Sequence, residues 1–430
     1  MSKTNKTLLI ILIILIGFAV FFWFTREKTE PGGTQPTESN FWSRFNPFNE
    51  SVAPSTPPPS ETPGEVIPTP PGGSQELILR KVSNIPIAGY GVFQKERYKE
   101  EVVLDTSTEA PTAPQTEFVP AVRYVARADG NIWQTFADKI EERRFTSTII
   151  PKVYEAYFGG GAEAVIMRHL KADERTIETF TATLPKEILG GDSSESAISG
   201  SFLPDNITEL AVSPDGTKIF YLYNQGENAI GIISGILGDK KTQIVDSPAT
   251  EWLASWKNAK VIALATKPSG LVSGYLYNLN PDTKSFTNVL SGIAGLTALG
   301  DPAGKKFLFA DGNLSLFLLD GTTRSSIALG ARTLPEKCTW DGTGAFLYCA
   351  VPSFVPPAVY PDAWYRGEVS FNDSIWKIDA ETGVGSIVLE PEKEPGGESV
   401  DAIKPSIDQG ENYLFFVNKK DSRLWEMKLR

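Results

Sequence analysis

Histidine is nearly missing from this chain: His169 is the only one in 430 residues. That excludes a two-histidine zinc helix, a histidine-rich metal cluster and any site built on a histidine pair. His169 itself stands among charged neighbours in VIMRHLKADE, where a structural or solvated role is the plainer reading. Cysteine occurs twice, as Cys338 and Cys349, and methionine three times. Basic residues are outnumbered, 41 Lys and Arg against 52 Asp and Glu, which leaves a formal net charge of -11. A chain so acidic is no nucleic-acid partner, because phosphate-backbone binding needs clustered cations. The sequence holds no GxSxG elbow, no GxxxxGK[ST] loop, no dinucleotide GxGxxG and no D-x-[DN]-x-[DN]-G calcium loop. No residue is therefore nominated as catalytic or metal-ligating, and no cofactor is expected.

One long hydrophobic run is present. Thr7–Phe24, TLLIILIILIGFAVFFWF, is free of charge and just long enough to cross a bilayer as a helix. A cleaved signal peptide is the alternative, but the run continues through an aromatic end, Val20–Phe24, and Gly17-Phe18-Ala19 is a poor cleavage site. The expected layout is a short cytoplasmic tail over 1–6, a single membrane helix over 7–24 and a juxtamembrane segment and linker over 25–75. A globular domain then fills 76–430, outside the cell membrane. Phe41–Phe48, FWSRFNPF, reads either as an interfacial foot or as an apolar spot in a linker. Ser51–Ser74 is rich in Pro, Ser and Thr and cannot bury a core. As a polyproline spacer of about 3.1 Å per residue it would reach on the order of 75 Å.

From Glu76 onward the chain is dense in turns and aromatics. Leu210–Asn224, LAVSPDGTKIFYLYN, reads as strand, tight turn, strand. Degenerate copies recur at the roughly 40–45-residue spacing of four-stranded propeller blades. Units are read at Ile85–Thr148, Lys152–Leu184, Ile207–Val245, Glu251–Leu290, Leu296–Leu329, Glu336–Leu389 and Asp401–Arg430. The last offers only three strands, and Glu76–Lys81 is the candidate for its missing outer strand, closing the ring. The fold class is all-β, a β-propeller of about seven four-stranded antiparallel blades. Irregular stretches at Pro185–Asp205 and Ile85–Thr148 leave six or eight open. Gln94–Phe118 reads as a polar, acidic surface loop.

SPDGTKIFYLY, with its echoes DPAGKKFLF and WDGTGAFLY, resembles the TolB-type propeller repeats, cousins of the WD repeat. The likeness covers the blade hairpins of most of 150–430 and lacks the Gly-His and Trp-Asp signature of WD repeats. It implies a propeller that binds proteins or ligands and no single activity. Ser406–Tyr413 resembles the sialidase Asp-box with tyrosine in place of tryptophan. It occurs once, and is read as another blade turn.

Cys338 and Cys349 flank the hairpin CTWDGTGAFLYC. A turn at Asp341–Gly344 places them opposite each other, within reach of a disulfide; two buried free thiols are the alternative. The insertion Pro352–Asp373 interrupts a blade between its second and third strands. It carries Tyr360, Trp364, Tyr365, Arg366 and Phe371, residue types that anchor interfaces, or it folds back to plug the central channel. The function expected is a non-enzymatic binding or scaffolding module of the cell envelope, partnered by the membrane and by an envelope protein or surface ligand. The alternatives are a hydrolase or lactonase using channel-lining carboxylates, with or without a divalent ion, and a surface-layer component.

Overall fold

The computed structural model describes residues 78–99, 115–187, 189 and 195–429. The expected membrane helix Thr7–Phe24, the aromatic patch Phe41–Phe48 and the linker Ser51–Ser74 lie outside the described residues. Among the described residues no helix is long and apolar enough to cross a membrane.

Seven four-stranded antiparallel sheets make the blades of a propeller. Blades 1 to 6 span 87–144, 153–202, 207–247, 252–294, 297–332 and 338–389, and each runs from an inner to an outer strand in chain order. Blade 7 takes three strands from 402–428 and its outermost from Leu79–Lys81, with Leu79 opposite Met427 and Lys81 opposite Trp425. The ring is thus closed by a strand from before blade 1, which pairs the edge that Arg423–Lys428, the third strand of blade 7, would otherwise leave open.

The sequence dictates the blade hairpins through their turns. In blade 3, Asp215 accepts the Ser213 hydroxyl at 2.6 Å and the Thr217 N–H at 3.1 Å, and Gly216 adopts φ +67°. That left-handed conformation suits glycine, and a Cβ there would meet the Gly160 nitrogen of blade 2 at 2.1 Å. Asp301, Asp341 and Asp408 take the place of Ser213 in the turns of blades 5, 6 and 7, each buried and accepting backbone N–H groups of its own turn. The Asp-box-like stretch is therefore a hairpin turn.

Apolar alternation does the rest. Seven buried clusters fill the seven junctions between neighbouring blades, such as Phe220 and Leu222 of blade 3 against Trp252 and Leu264 of blade 4. Two readings need correction. The stretch Gln94–Phe118 is not all loop: the first strand of blade 1 runs to Tyr98 and pairs with Thr116–Ala126, in register from Gln94 opposite Pro120 to Tyr98 opposite Thr116. Arg97 stands opposite Glu117 and pairs with it at 2.9 Å, a cross-strand ion pair that supports the ladder past the blade. Within Pro185–Asp205 lies the fourth strand of blade 2, Gly200–Phe202, three exposed residues with no pattern to read.

Cys338 and Cys349 form a disulfide across directly paired residues of blade 6, Cα atoms 4.0 Å apart. The loop it closes is short, so in the chain-entropy account replacing both by serine should cost about 2–3 kcal/mol. Urea denaturation checks this; an unchanged midpoint would mean the reduced hairpin loses nothing.

Candidate functional site

The inner strands of the seven blades surround a central channel holding a cavity of about 480 Å³. All seven line it, together with Glu336, just before the inner strand of blade 6, and Tyr365 of the insertion. Blades 1 and 2 approach most closely. A Cβ on Gly89 would lie 2.0 Å from the Ala156 oxygen, so only glycine lets these two inner strands pass.

The charges in the channel come from irregular backbone. Inner strands Val153–Gly159, Ile207–Val212 and Ala402–Ile407 each break register at their third residue or beside it, at Glu155, Glu209 and Lys404. A bulge re-aims the side chain that follows it. Lys404 also holds a left-handed φ of +51°, a strained setting for a lysine, and the half-buried Tyr90 donates its hydroxyl to the Lys404 carbonyl at 2.6 Å. Burial drives the Tyr90 phenol well above its ordinary range, so it stays a donor.

Glu155 accepts Arg168 at 2.5 Å and Lys404 at 3.2 Å. Burial works against its charge, but these two cations and the Tyr157 hydroxyl outweigh it and hold the carboxyl below the usual range. Glu209 is placed differently. It accepts the Ala254 N–H of blade 4 at 3.1 Å and has no cation in contact among the described residues. Burial, helped by the charge of Glu155, pushes it up to about 8 against the opposing effects of Ala254, Arg168 and Lys404. Glu336 accepts the Tyr365 hydroxyl, and burial raises its pKa too, although the channel is wide enough to leave it in touch with water. Lys257, further along the inner strand of blade 4, lines the cavity with its side chain exposed to the channel, and the protein crowded around it still lowers its pKa.

The Glu209 value sets a sign. Its folded pKa of about 8 lies above the 4.5 of an ordinary glutamate, so the folded state binds more protons between those values. Stability must then fall as pH rises through that window. Glu209→Gln removes the term and is expected to melt on the order of 2–4 °C above the parent at pH 9 but level with it at pH 4. Equal differences at both pH values would refute it.

The five insertion residues do not share one surface. Tyr360, Trp364 and Phe371 are buried together with Leu314 and Leu334. The Tyr360 carbonyl sits over Gly270 and Gly295, where added Cβ atoms would come within 2.4 and 2.9 Å. The Trp364 indole donates to Asp401 at 3.0 Å. Tyr365, at the end of the single-turn helix Asp362–Tyr365, reaches the channel, while Arg366 is exposed and pairs with Glu368 at 2.8 Å. The insertion thus lies across blades 4 to 7 and presents one side chain to the channel.

Sequence reasoning did not single out Glu155, Glu209, Lys404, Lys257 or Glu336. A signal existed for three of them: aligned on strand starts, the third inner-strand residue is Gly89, Glu155, Glu209, Ala254 and Lys404 in blades 1, 2, 3, 4 and 7. Charge there, inside an apolar strand, is out of place unless the strand borders a polar space.

No protein-family model matches the chain, and no curated protein matches it. Among solved structures it is similar to TolB from Acinetobacter baumannii, at 12% identity and TM-score 0.40, over 79% of each chain. An oligogalacturonate lyase from Vibrio parahaemolyticus is similar at 9% identity and TM-score 0.46, over 79% of this chain and 98% of that one. A protein from Desulfotomaculum acetoxidans described as functionally unknown matches at 10% identity and TM-score 0.45, over 70% and 89%. At such identities the likenesses carry nothing about activity, and the seven blades rest on their own strand pairing.

Proposed function

We infer that the chain is a membrane-tethered binding propeller of the cell envelope that takes a small ligand into its central channel. The observation that supports this is the cavity of about 480 Å³ bordered by every blade, a size typical of small-molecule sites. Groups of both signs stand in its wall, and Tyr365 narrows its mouth without filling it. In this reading Thr7–Phe24 is the anchor, and the proline-rich stretch behind it lifts the propeller off the membrane surface. The insertion serves as a fixed rim rather than a free recognition loop.

A second reading draws on one observation. Glu155 is held ionised while its neighbour Glu209 stays protonated near neutrality, and such divergent pairs are what acid–base catalysis uses. No three His, Cys, Asp or Glu side chains among the described residues are gathered to hold a metal ion, so this reading concerns hydrolysis or elimination by carboxyl groups alone.

The test is a melting-temperature screen of the full-length chain against small cations, anions, zwitterions and neutral sugars. At least one class should stabilise the native state, and Ala298→Trp or Thr339→Trp, which fill the channel, should abolish the gain. Stabilisation that survives both variants would move the site elsewhere. Turnover of a bound compound, lost in Glu209→Gln, would favour the second reading.

A further inference from the structure

We propose that Lys337 and Asp401 react with each other to form an internal cross-link, an amide between the Lys337 Nζ and the Asp401 side-chain carbon, with loss of one water. Such a bond is independent of what the channel binds.

Three groups meet out of reach of solvent. Lys337 ends the 3-10 helix Pro335–Lys337 that leads into blade 6, Asp373 opens the third strand of that blade, and Asp401 immediately precedes the first strand of blade 7. None of the three side chains has any exposed surface. The ammonium bonds Asp373 Oδ2 at 2.8 Å and is in direct contact with Asp401 Oδ1. The buried rings of Trp364 and Phe371 stand 5.3 and 5.4 Å from the same nitrogen. In water an ammonium and a carboxylate stay ionised because hydration rewards both charges. In a closed pocket that reward is gone, and a neutral amide does not need it. The nitrogen and the carboxyl group are already held together, so little entropy is lost in bringing them to reaction.

The surroundings of Asp401 are those of an acyl group prepared for attack. Its Oδ2 accepts the Phe371 N–H at 3.0 Å, the Trp364 indole at 3.0 Å and the Ser370 hydroxyl at 3.1 Å; the indole also lies 3.2 Å from Oδ1. Three donors on one oxygen form an oxyanion hole, placed where negative charge develops when the nitrogen adds to the carbon. Asp373 supplies the proton carrier. Its Oδ2 also accepts the Ala402 N–H at 2.7 Å, while its Oδ1 is buried with no hydrogen-bond partner among the described residues. A bare carboxylate oxygen is costly in such a place, and a proton on it removes the charge. Burial raises the Asp373 pKa against the pull of Lys337, and the charge of Asp401 adds to the rise.

The step balances without any co-reactant. The ammonium passes one proton to Asp401 Oδ1, leaving a neutral amine beside a neutral carboxylic acid. The nitrogen lone pair adds to the carbon, and the charge moves to Oδ2 and its three donors. Asp373 takes the proton that the nitrogen sheds and returns one to Oδ1. The carbon–Oδ1 bond breaks, that oxygen leaves as water, and Asp373 ends as it began. Nothing is oxidised or reduced. The amide N–H that remains faces Asp373, and its oxygen keeps the three donors, so no polar group is stranded. The ion pair of the structure is the state before the bond forms. Once formed, the bond joins the entrance of blade 6 to that of blade 7 beneath the insertion.

The experiment purifies the full-length chain, reduces and unfolds it, digests it with trypsin and weighs the peptides. The expected major product is a branched peptide that joins the Lys337 and Asp401 segments, is uncut after Lys337 and weighs one water less than its two parts. Asp373→Asn should lower the linked fraction by at least about tenfold, with a cooperative melt showing that the chain still folds. Ser370→Ala changes an exposed residue and removes one oxyanion donor. In pulse-labelled chain it should slow linkage by about tenfold or more with little change in melting temperature. Recovery of the two segments only as separate peptides from the parent chain overturns the proposal, whatever the variants do. A branch at Asp373 would overturn the choice of Asp401, and an undiminished link in a folded Asp373→Asn chain would overturn the part given to Asp373.

Discussion

Replacing Lys337 by methionine should destabilise the fold by about 3–5 kcal/mol, the usual cost of stripping one partner from a buried ion pair. Lys337 lies in the one-turn 3-10 helix Pro335–Lys337 and is fully buried, its ammonium bonded to Asp373 at 2.8 Å and also to Asp401. The rings of Trp364 and Phe371 stand 5.3 and 5.4 Å from it. Methionine keeps the stem and removes the charge, leaving two buried carboxyl groups facing an apolar sulfur. Asp401 matters most. It also accepts the Trp364 indole, the Ser370 hydroxyl at 3.1 Å and the Phe371 N–H at 3.0 Å, which together pin the insertion to blade 7. Burial opposes its charge, and Lys337 with these donors holds it below the usual range. Losing the lysine should loosen the insertion as well as the blades. Urea denaturation reads the global loss, and protease cleavage within 353–372 reads the local one. Asp373→Asn in the same background should recover part of the stability by removing one stranded charge. A loss below about 1 kcal/mol would show that the triad is no more than a replacement for packing.

Arg80→Ala should cost about 3 kcal/mol by the same reasoning at the seam of the ring. Arg80 sits on the closing strand Leu79–Lys81 and donates to Glu426 of blade 7 at 3.0 and 3.2 Å. The same guanidinium reaches the Phe136 and Ala137 carbonyls of blade 1 at 3.3 and 3.2 Å, and that of Lys139. One side chain therefore ties the last blade, its borrowed strand and the first blade together. Burial raises Glu426 to about 7 even with Arg80 opposing it. That folded value exceeds the 4.5 of an ordinary glutamate, so the folded state holds extra protons between them and stability falls as pH rises through that window. Without Arg80 the carboxyl would be harder still to ionise, so the variant should lose more at pH 8 than at pH 5. Glu426→Gln should restore much of the loss at pH 8. Identical losses at both pH values would show that Arg80 acts through its carbonyl contacts alone.

The candidate site was much less legible than the fold. The tyrosine, tryptophan and phenylalanine of the insertion look like surface anchors in a linear reading because nothing there says what covers them. In the folded chain Tyr360, Trp364 and Phe371 are the insertion's own core, and only Tyr365 reaches the cavity. The charged groups of the cavity wall form no short motif: Glu209, Lys257 and Lys404 come from three different blades.

The blades follow from local sequence, since turn chemistry and two-residue alternation act over a few residues at a time. Asp215 and Gly216 make their turn wherever the hairpin lies, and Cys338 and Cys349 face each other through a register counted from one turn. Local sequence also marked the open seam, because a three-stranded last blade leaves an unpaired edge that another strand must fill. What faces the channel depends on the assembled ring. Ring closure brings inner strands distant in sequence around one axis, and bulges within those strands choose which side chains turn inward. The shifted acidity of Glu209 follows from that enclosure. Burial is a property of the closed ring, and no single repeat contains it.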